Sequence, residues 1–232
     1  MGKSLPSAKD LKAILFDVDG TITDSDPLHF QAFQEIFQQA GFQGGAPMTK
    51  DYFLKQISGK LNTVIAFESF PELSEDERQK VTDNKEARFR SLAKDHTKPI
   101  PGLMKFVDWI KERGFRRAAV SNSPRDNVEQ VIEALGLTNF FEIIVIGNEC
   151  EHPKPYPDPY LKALQHLGVT PETTIIFEDS PAGLRAGVAA EVSVVGLTTG
   201  HRKDDLLAAG ASLIIEDYSD PALWEHLEPK SG

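Results

Sequence analysis

The sequence predicts an α/β protein whose core is a doubly wound parallel sheet, accompanied by a small all-helical domain. In its second half, short apolar runs typical of buried strands alternate with helical patterns of about ten residues. One more apolar run, Ala13–Phe16, stands alone near the start, and residues 27–94 after it show helical patterns only. Strands that alternate with helices through short loops indicate a parallel sheet. The lone first strand is therefore expected inside that sheet, with the helical segment as an insert.

The insert is expected to contain four helices, over 28–40, 49–57, 62–69 and 75–93. Pro27 suits the start of the first helix, and Gly41 is a typical stop after it. Ser74 and Glu77 have the spacing of a capping box, which begins the long fourth helix. The predicted organisation is an α/β core domain of residues 1–26 and 95–232 and a helical domain of residues 27–94.

The second half is expected to add five strands, over 117–121, 141–146, 174–177, 193–197 and 212–215. The helices of this half are expected over 103–113, 125–135, 158–167, 182–190 and 203–209. Gly114 and Gly168 follow two of these helices directly, as helix-terminating glycines commonly do.

Charge and cysteine content limit the partners and the compartment. The formal net charge of −10 disfavours nucleic acid and anionic membranes as partners, but a local cationic site could still bind a small phosphate ester. The single cysteine, Cys150, excludes an internal disulfide and favours a reducing, cytoplasmic location. No apolar run approaches the roughly 20 residues of a membrane span. A monomer is expected, with a homodimer as the alternative.

The first strand is followed directly by two acidic residues, Asp17 and Asp19, and by Gly20. Carboxylates two residues apart face the same side of an extended chain, and the glycine allows a sharp turn. The carboxyl edge of an open α/β sheet is where ligands bind. Two ionised carboxylates this close repel each other, and a hard cation such as Mg²⁺ would offset that repulsion. A turn with solvated acids is the alternative interpretation.

Polar groups also follow three of the later strands. Ser121, in the run Ser121-Asn122-Ser123, could bind a phosphate oxygen or simply cap a helix. Lys154, held between two prolines, offers a point charge for phosphate, unless it is a solvated loop lysine. Glu178 and Asp179 could share one cation with the first acidic pair, or they could favour the start of the next helix.

These motifs and their order resemble the haloacid dehalogenase superfamily of phosphohydrolases. The resemblance covers essentially the whole chain and rests on four motifs: Asp17-Val18-Asp19-Gly20-Thr21, Ser121 in Val-Ser-Asn-Ser, Lys154 in Lys-Pro-Tyr-Pro-Asp-Pro-Tyr, and Glu178-Asp179-Ser180-Pro181-Ala182-Gly183. The insert resembles the helical cap of β-phosphoglucomutase-like members. Within these, the sequence is most similar to plant and fungal sugar- and polyol-phosphate phosphatases.

The resemblance implies a Mg²⁺-dependent phosphatase of small sugar or polyol phosphates that acts through an aspartyl-phosphate. Asp17 would be the nucleophile, and Asp19 would be the general acid and base. Mg²⁺ would bind Asp17, the main-chain carbonyl of Asp19, and Asp179, with Glu178 in support. The phosphate-binding residues implied in this way are Thr21, Ser121, Asn122 and Lys154.

Four alternatives are weighed within this resemblance. Dehalogenases of this fold lack a second aspartate in the first motif, so Asp19 argues against that activity. A phosphonatase needs a Schiff-base lysine from the cap, for which Lys55 and Lys60 are the nearest candidates. A β-phosphoglucomutase-type mutase is the main alternative to hydrolysis. A binding protein without turnover is the last, but the motif residues that such proteins usually lose are all present.

The cap residues bear on the choice between phosphatase and mutase. His29 resembles a hinge histidine of the mutase, and the segment 57–63 resembles its specificity loop. Asn62 stands where the mutase has an arginine that grips a second phosphate, which favours hydrolysis. His29, Lys60 and Asn62 are therefore the expected cap residues for substrate specificity.

Overall fold

Six strands form the sheet in the computed structural model, which describes residues 3–57 and 60–228. Their bounds are β1 (Ala13–Phe16), β2 (Arg116–Ser121), β3 (Ile143–Ile146), β4 (Thr174–Glu178), β5 (Ser193–Leu197) and β6 (Leu213–Ile215). The strand order is β3-β2-β1-β4-β5-β6, and every neighbouring pair is parallel. The predicted parallel sheet with the lone first strand inside it is confirmed.

Helices cover both faces of this sheet and make up the insert. The helices of the insert are α1 (Asp26–Gln39), α2 (Lys50–Tyr52, continued by a π turn over Phe53–Ile57), α3 (Asn62–Ser69) and α4 (Glu75–His96). The helices of the core are α5 (Leu103–Arg113), α6 (Arg125–Ala134), α7 (Asp158–Leu167), α8 (Pro181–Ala189), α9 (Lys203–Ala208) and α10 (Pro221–Leu227). Short 3₁₀ turns lie at Phe42–Gly45, Gly147–Glu149 and Pro171–Thr173.

The order of the strands places one crevice at the centre of the sheet. From β1 the chain proceeds outward to β2 and β3, then returns to β4 on the other side of β1 and continues to β6. Phe16 at the end of β1 is therefore in register with Ala119 of β2 and Phe177 of β4. The strand order reverses between β1 and β4, and ligands bind at the carboxyl ends of strands at such a switch point.

Alternation along the strands divides the core into two apolar layers. Ile14 and Phe16 face one layer, and Ala13 and Leu15 face the other. The insert has a separate apolar cluster, built mainly from aromatic rings: Phe33, Phe37, Phe42, Phe53 and Phe70. The insert is therefore a small helical cap with its own core. Among the described residues, no helix is both long and apolar enough to cross a membrane.

Two segments join the cap to the sheet, and they run side by side. Thr23 lies before α1 and bridges Pro99, which lies after α4. The Thr23 hydroxyl also donates to the main-chain oxygen of Lys98 at 2.7 Å. The capping box predicted before α4 is present, since the Ser74 side chain accepts from the main chain of Glu77 and Glu77 reaches back.

Three local expectations need correction. The strand expected from residue 141 begins at Ile143. The helix expected over 49–57 is a short α-helix followed by a π turn. Helix α10 was not expected, although Asp220 caps its start by accepting from the main chain of Ala222, with Pro221 in the first position.

Candidate active site

A cavity of about 150 Å³ opens between the carboxyl ends of the central strands and the cap. The core side of its wall contains Asp17, Asp19, Asp26, Ser121, Asn122, Ser123, Lys154, Asp179, Ser180 and His201. The cap side contains His29, Phe33, Phe53, Ile57, Lys60, Leu61, Asn62, Ile65, Lys85 and Glu86. Most of the predicted site residues therefore meet in one place.

Asp17 directly follows β1 and is buried at the switch point. Its Oδ1 accepts a hydrogen bond from Lys154 Nζ at 2.7 Å, and its Oδ2 accepts one from the Thr21 hydroxyl at 3.1 Å. Burial, together with the charges of Glu178 and Asp19, outweighs the attraction of Lys154 and raises the pKa of Asp17 to about 7. Its carboxylate is thus oriented by two donors and destabilised in its charged form.

Lys154 holds three oxygens together beneath the cavity. Its buried Nζ donates to Asp17, to the main-chain oxygen of Val120 at 2.7 Å and to Glu178 Oε1 at 2.8 Å. Burial opposes its charge, but Asp17 and Glu178 outweigh burial and raise the pKa of Lys154 well above its usual value. The amide of Asn122 fixes the main chain of Lys154 from both sides, at 3.0 and 3.1 Å.

Glu178 and Asp179 end β4 beside Asp17. Both Glu178 oxygens are engaged: Tyr160 and Lys154 donate to Oε1, and the Ser180 main chain and hydroxyl donate to Oε2 at 3.0 Å. Burial and the neighbouring carboxylates, Asp17 first among them, raise the pKa of Asp179 well above its usual value. This site therefore contains more buried negative charge than Lys154 alone can neutralise.

The acidic cluster suits a cation by its donor chemistry. Oxygens of Asp17, Glu178 and Asp179 lie within 4.8 Å of one another, and all three residues are buried. Hard divalent cations prefer such carboxylate oxygens. Gly20 has a positive φ of 77°, and a Cβ at that position would run into the Asp179 carboxylate. The glycine therefore allows Asp179 to approach the first motif closely, and the residues present fit a divalent cation.

Asp19 lies in a different environment, although it is only two residues from Asp17. Its Oδ1 accepts from the Ser25 hydroxyl at 2.6 Å and lies 3.4 Å from His29 Nε2. Its Oδ2 accepts from the Ser123 hydroxyl at 2.5 Å. Burial favours its neutral form, but His29, Ser123 and Ser25 outweigh burial and hold the pKa of Asp19 well below its usual value. The two aspartates therefore have pKa values displaced in opposite directions.

The cap contributes a histidine and a buried lysine that face Asp19. His29 stacks on Phe89 with ring centroids 3.8 Å apart, and its Nδ1 lies 3.2 Å from Lys85 Nζ. Lys85 is only 2% exposed, and its ammonium lies over the Phe33 ring at 4.2 Å from the centroid. Its Nζ also donates to Glu86 Oε1 at 2.8 Å. Burial lowers the pKa of Lys85, while the carboxylate of Glu86 opposes the loss of its charge.

The other two predicted cap residues are engaged within the cap. Asn62 Nδ2 donates to Glu86 Oε1 at 2.5 Å, and Lys60 Nζ pairs with Glu68 at 2.7 Å. Lys55, a candidate for a Schiff-base lysine, is exposed and pairs with Asp51 at 2.8 Å. Ser58 and Gly59 of the loop expected over 57–63 lie outside the described residues.

The side chains of two predicted phosphate-binding residues, Thr21 and Asn122, make contacts within the core. Thr21 is fully buried and donates to Asp17, so its hydroxyl faces the carboxylate and does not line the cavity. The side-chain amide of Asn122 is occupied by the main chain of Lys154. Ser121 does line the cavity, and its oxygen accepts from the main-chain N–H of Ser123 at 3.0 Å. That contact leaves its hydroxyl proton for a ligand.

The cavity wall contains polar residues that were not predicted from the sequence, among them Lys85, Glu86 and His201. Lys85 and Glu86 lie on the polar helix α4, where charged residues are expected to face solvent. His201 lies in the loop after β5, and its Nδ1 is buried without a hydrogen-bond partner among the described residues. The only sequence feature that could have indicated His201 was its position in a loop at the carboxyl end of a strand. No sequence feature indicated Lys85 and Glu86 of α4.

A family model described as haloacid dehalogenase-like hydrolase matches residues 14–197 of this chain. Since the match spans most of the sequence and both halves of the site, the chain belongs to the haloacid dehalogenase-like hydrolases. It is therefore a hydrolase, and the relatives named next include a phosphatase.

Individual relatives are similar over nearly their whole length. Protein CbbY of Rhodobacter capsulatus is 34% identical over 86% of this chain and 91% of its own length. A phosphorylated carbohydrates phosphatase of Thermotoga maritima is 27% identical over 89% of this chain and 94% of its own. The crystal structure of CbbY from Rhodobacter sphaeroides in complex with phosphate has a TM-score of 0.80 at 26% identity, covering 90% of this chain and 95% of that one. The predicted family and fold are confirmed.

Proposed function

We propose that this protein is a Mg²⁺-dependent phosphatase of small sugar or polyol phosphate monoesters that forms an aspartyl-phosphate on Asp17. The observation that carries the proposal is the pairing of two aspartates in opposite environments at the switch point. Asp17 is oriented by Lys154 and Thr21. Asp19, with its three donors, faces the cap. Carboxyl groups whose pKa values are pushed apart are suited to different roles in one reaction.

The cation would be held by Asp17, Asp179 and the main-chain carbonyl of Asp19, with Glu178 behind them. When bound, Mg²⁺ would supply positive charge to the phosphoryl oxygens and to the crowded carboxylates. Glu178 is better placed to support than to ligate, because each of its two carboxylate oxygens already accepts two hydrogen bonds, whereas each oxygen of Asp17 accepts one.

The first step is attack by a carboxylate oxygen of Asp17 on phosphorus. An O–P bond forms to Asp17 while the bond from phosphorus to the ester oxygen breaks, and the alkoxide leaves. Phosphoryl transfer is accelerated mainly by positioning and charge neutralisation. The buried ammonium of Lys154, 2.7 Å from Asp17, supplies part of that charge, and the Ser121 hydroxyl is placed to donate to a phosphoryl oxygen.

Asp19 is suited to exchange protons with the leaving group and then with water. Its donors keep it ionised without substrate. A phosphoryl dianion placed beside Asp19 raises the pKa of its carboxyl by repulsion and so favours its protonated form. The protonated carboxyl can then donate the proton that the leaving alkoxide needs. After the alcohol departs, ionised Asp19 takes a proton from water, which attacks the aspartyl-phosphate and regenerates Asp17.

The cap wall supports hydrolysis of a monophosphate over phosphate transfer between sugar positions. Each lysine that lines the cap side of the cavity has a carboxylate partner: Lys60 pairs with Glu68, and Lys85 pairs with Glu86. Asn62 donates to Glu86. A second phosphate would therefore meet a carboxylate, whereas sugar hydroxyls would find both donors and acceptors. One relative is named as a phosphatase of phosphorylated carbohydrates.

Substrate exchange requires movement of the cap. We assign residues 27–94 to the cap and residues 1–26 and 95–232 to the core, with hinges near Ser25-Asp26 and over 95–98. The side-by-side contact of Thr23 with Lys98 and Pro99 suits a paired hinge, because both connections can bend together. A closed cap would exclude bulk water from the reacting groups.

The test is phosphate release with Mg²⁺ from a panel of sugar, polyol and nucleotide monophosphates by the wild type and by Asp17→Asn. The panel includes β-glucose 1-phosphate with a bisphosphate primer, assayed for isomer as well as for phosphate. We expect release of phosphate that Asp17→Asn lowers by at least about a thousandfold, since the nucleophile is removed. Isomer without net phosphate would make the protein a mutase. Binding of phosphate esters without either product would make it a binding protein.

A further inference from the structure

Asn127 is a buried polar residue of the core that lies beneath the cap. It belongs to helix α6, which begins at Arg125 after the second motif, and it is 1% exposed. Helix α4 of the cap packs against α6 at this point. An amide buried to this extent is costly unless its donor and acceptor both have partners. The partners of Asn127 therefore show what it does.

Both ends of the Asn127 side chain are bound by the cap. Its Nδ2 donates to Glu86 Oε2 through a short hydrogen bond, and its Oδ1 accepts from Arg90 Nη1 at 3.1 Å. Glu86 and Arg90 are four residues apart on α4, so they lie on the same face of that helix. One core amide is thus clamped by two cap side chains of opposite charge, which fixes the position of α4 along α6.

The clamp continues into the candidate active site through Glu86. The other oxygen of Glu86, Oε1, accepts from Lys85 at 2.8 Å and from Asn62 at 2.5 Å. Lys85 Nζ lies 3.2 Å from His29 Nδ1. His29 Nε2 in turn lies 3.4 Å from Asp19 Oδ1. A continuous polar chain therefore runs from the core helix through the cap and back to the core at Asp19.

This chain can be complete only while α4 of the cap packs against α6 of the core. If α4 moves away from α6, Asn127 loses both partners, and Glu86 loses the donor that fixes its second oxygen. Lys85 and His29 are carried on the same cap, so they move away from Asp19 at the same time. Buried, fully paired polar networks of this kind specify one arrangement rather than many.

We propose that Asn127 is a positioning residue, which sets Lys85 and His29 against Asp19 by clamping Glu86 and Arg90 of the cap helix. It does not touch the reacting atoms. The proposal rests on the proposed function, because its effect is measured on the same reaction. It goes further in naming a core residue outside the four motifs that controls the catalytic arrangement of the cap.

The test compares Asn127→Leu with the wild type on two substrates, in the full-length protein with Mg²⁺. Leucine has a similar volume but makes neither hydrogen bond. We expect kcat for the best sugar phosphate to fall by about tenfold or more, since two buried hydrogen bonds are lost. Hydrolysis of p-nitrophenyl phosphate should fall by less than about threefold, because its leaving group needs no proton and makes few cap contacts. Asp126→Asn, an exposed change on the same turn, is the matched control and should alter neither rate.

An exchange of side chains provides the rescue. Asn127→Asp alone places a carboxylate against Glu86, and we expect it to lower sugar phosphate turnover more than Asn127→Leu does. Asn127→Asp combined with Glu86→Gln again places an amide donor opposite a carboxylate acceptor, with the two groups exchanged between core and cap. The pair keeps the single negative charge of the wild type. The amide oxygen that Glu86→Gln introduces can still accept from Lys85 and Asn62. The double variant should recover at least about tenfold in kcat over Asn127→Asp. Hydrogen exchange of α4 should be faster in both single variants at position 127 and return towards the wild-type rate in the double variant.

The outcomes separate a positioning role from a structural one. Equal losses on both substrates with a lowered melting temperature, or no loss on either, would overturn the proposal. If Asn127→Leu does not fold, the test is the comparison of Asn127→Asp with the double variant that also carries Glu86→Gln. If the double variant recovers no turnover, the proposal is overturned. If the wild type hydrolyses no sugar phosphate, the proposed function has failed. The clamp is then judged on hydrogen exchange of α4, where unchanged protection in the single variants would refute it separately.

Discussion

The Asp17→Asn substitution is expected to stabilise the metal-free protein at pH 8 while it abolishes turnover. Burial, Glu178 and Asp19 raise the pKa of Asp17 from 3.8 to about 7. A carboxyl whose pKa is higher in the folded state favours folding when it is protonated. That contribution is fully present below the unfolded-state pKa and is lost as pH rises through the folded-state value. The metal-free wild type should therefore lose stability between about pH 4 and pH 8.

The magnitude follows from the size of the pKa shift. One pKa unit is about 1.4 kcal/mol, so ionised Asp17 costs the native state about 4 kcal/mol at pH 8. Asparagine removes that charge and keeps an oxygen that can accept from Thr21. It also relieves Asp179, whose pKa is raised by burial and then by Asp17. Lys154 loses one ionic partner but keeps Glu178 at 2.8 Å. The expected net gain at pH 8 is about 2–4 kcal/mol.

Urea unfolding in EDTA at pH 5, 6, 7 and 8 measures this difference. The free energy of unfolding of the variant should exceed that of the wild type least at pH 5 and by a growing margin as pH rises to 8. At pH 8 the melting temperature of the variant should be higher by roughly 5–15 °C. Asp24→Asn, an exposed change in the same segment, should stay within about 0.5 kcal/mol of the wild type. Excess Mg²⁺ should narrow or reverse this difference in stability between the variant and the wild type. At a hundredfold excess over Kd, a bound ion adds about 2.7 kcal/mol to the free energy of unfolding of the protein that binds it.

Three results would contradict this reasoning. A gap of equal size at pH 5 and pH 8 would mean that the charge of Asp17 is not the cause. A variant less stable than the wild type at pH 8 would mean that the attraction between Asp17 and Lys154 outweighs burial. Full turnover by the variant would show that Asp17 is not the nucleophile.

Two further predictions concern the walls of the site. Gly20→Ala places a Cβ against the Asp179 carboxylate at a residue with a positive φ. The displaced carboxylate should lower the phosphatase kcat on the order of a hundredfold. A variant with the kcat and the Mg²⁺ dependence of the wild type would contradict this prediction. Lys85→Met leaves Glu86 buried beside an apolar side chain, so the free energy of unfolding should fall by about 3–5 kcal/mol and sugar phosphate turnover by tenfold or more. Lys55→Met, on an exposed pair of the same cap, is its control for stability and rate, and equal effects of the two changes would refute a special role for Lys85.

Local sequence was sufficient for most of the elements. Helices α3, α5 and α7 have the predicted bounds. Gly114 and Gly168 follow two of them with φ of 65° and 64°, a conformation that glycine adopts at little cost. Helix α10 also has local signals, in Asp220 and Pro221, but its short length gave no clear apolar period.

The order of the strands depends on long-range packing. No local pattern shows that β1 lies between β2 and β4, yet this order brings Asp17 next to Glu178 and Asp179. The roles of polar side chains are equally non-local. The sequence does not show that the Thr21 hydroxyl donates to Asp17, or that the Asn122 amide pairs with the main chain of Lys154. Motif membership located these residues without defining their contacts.

The sequence by itself determined the family, the two kinds of domain and the acidic and basic residues of the core site, because these depend on periodicity and on residue types at fixed spacing. Only the tertiary structure decided the environment of each group. Asp17 and Asp19 are alike in sequence, but burial raises the pKa of one and three donors lower that of the other. Lys85 lies on a helix that is polar overall, and only the packing of α4 against α1 and α6 turns its ammonium inward. Charge and hydrogen bonding depend on neighbours that are distant along the chain, and folding alone brings those neighbours together.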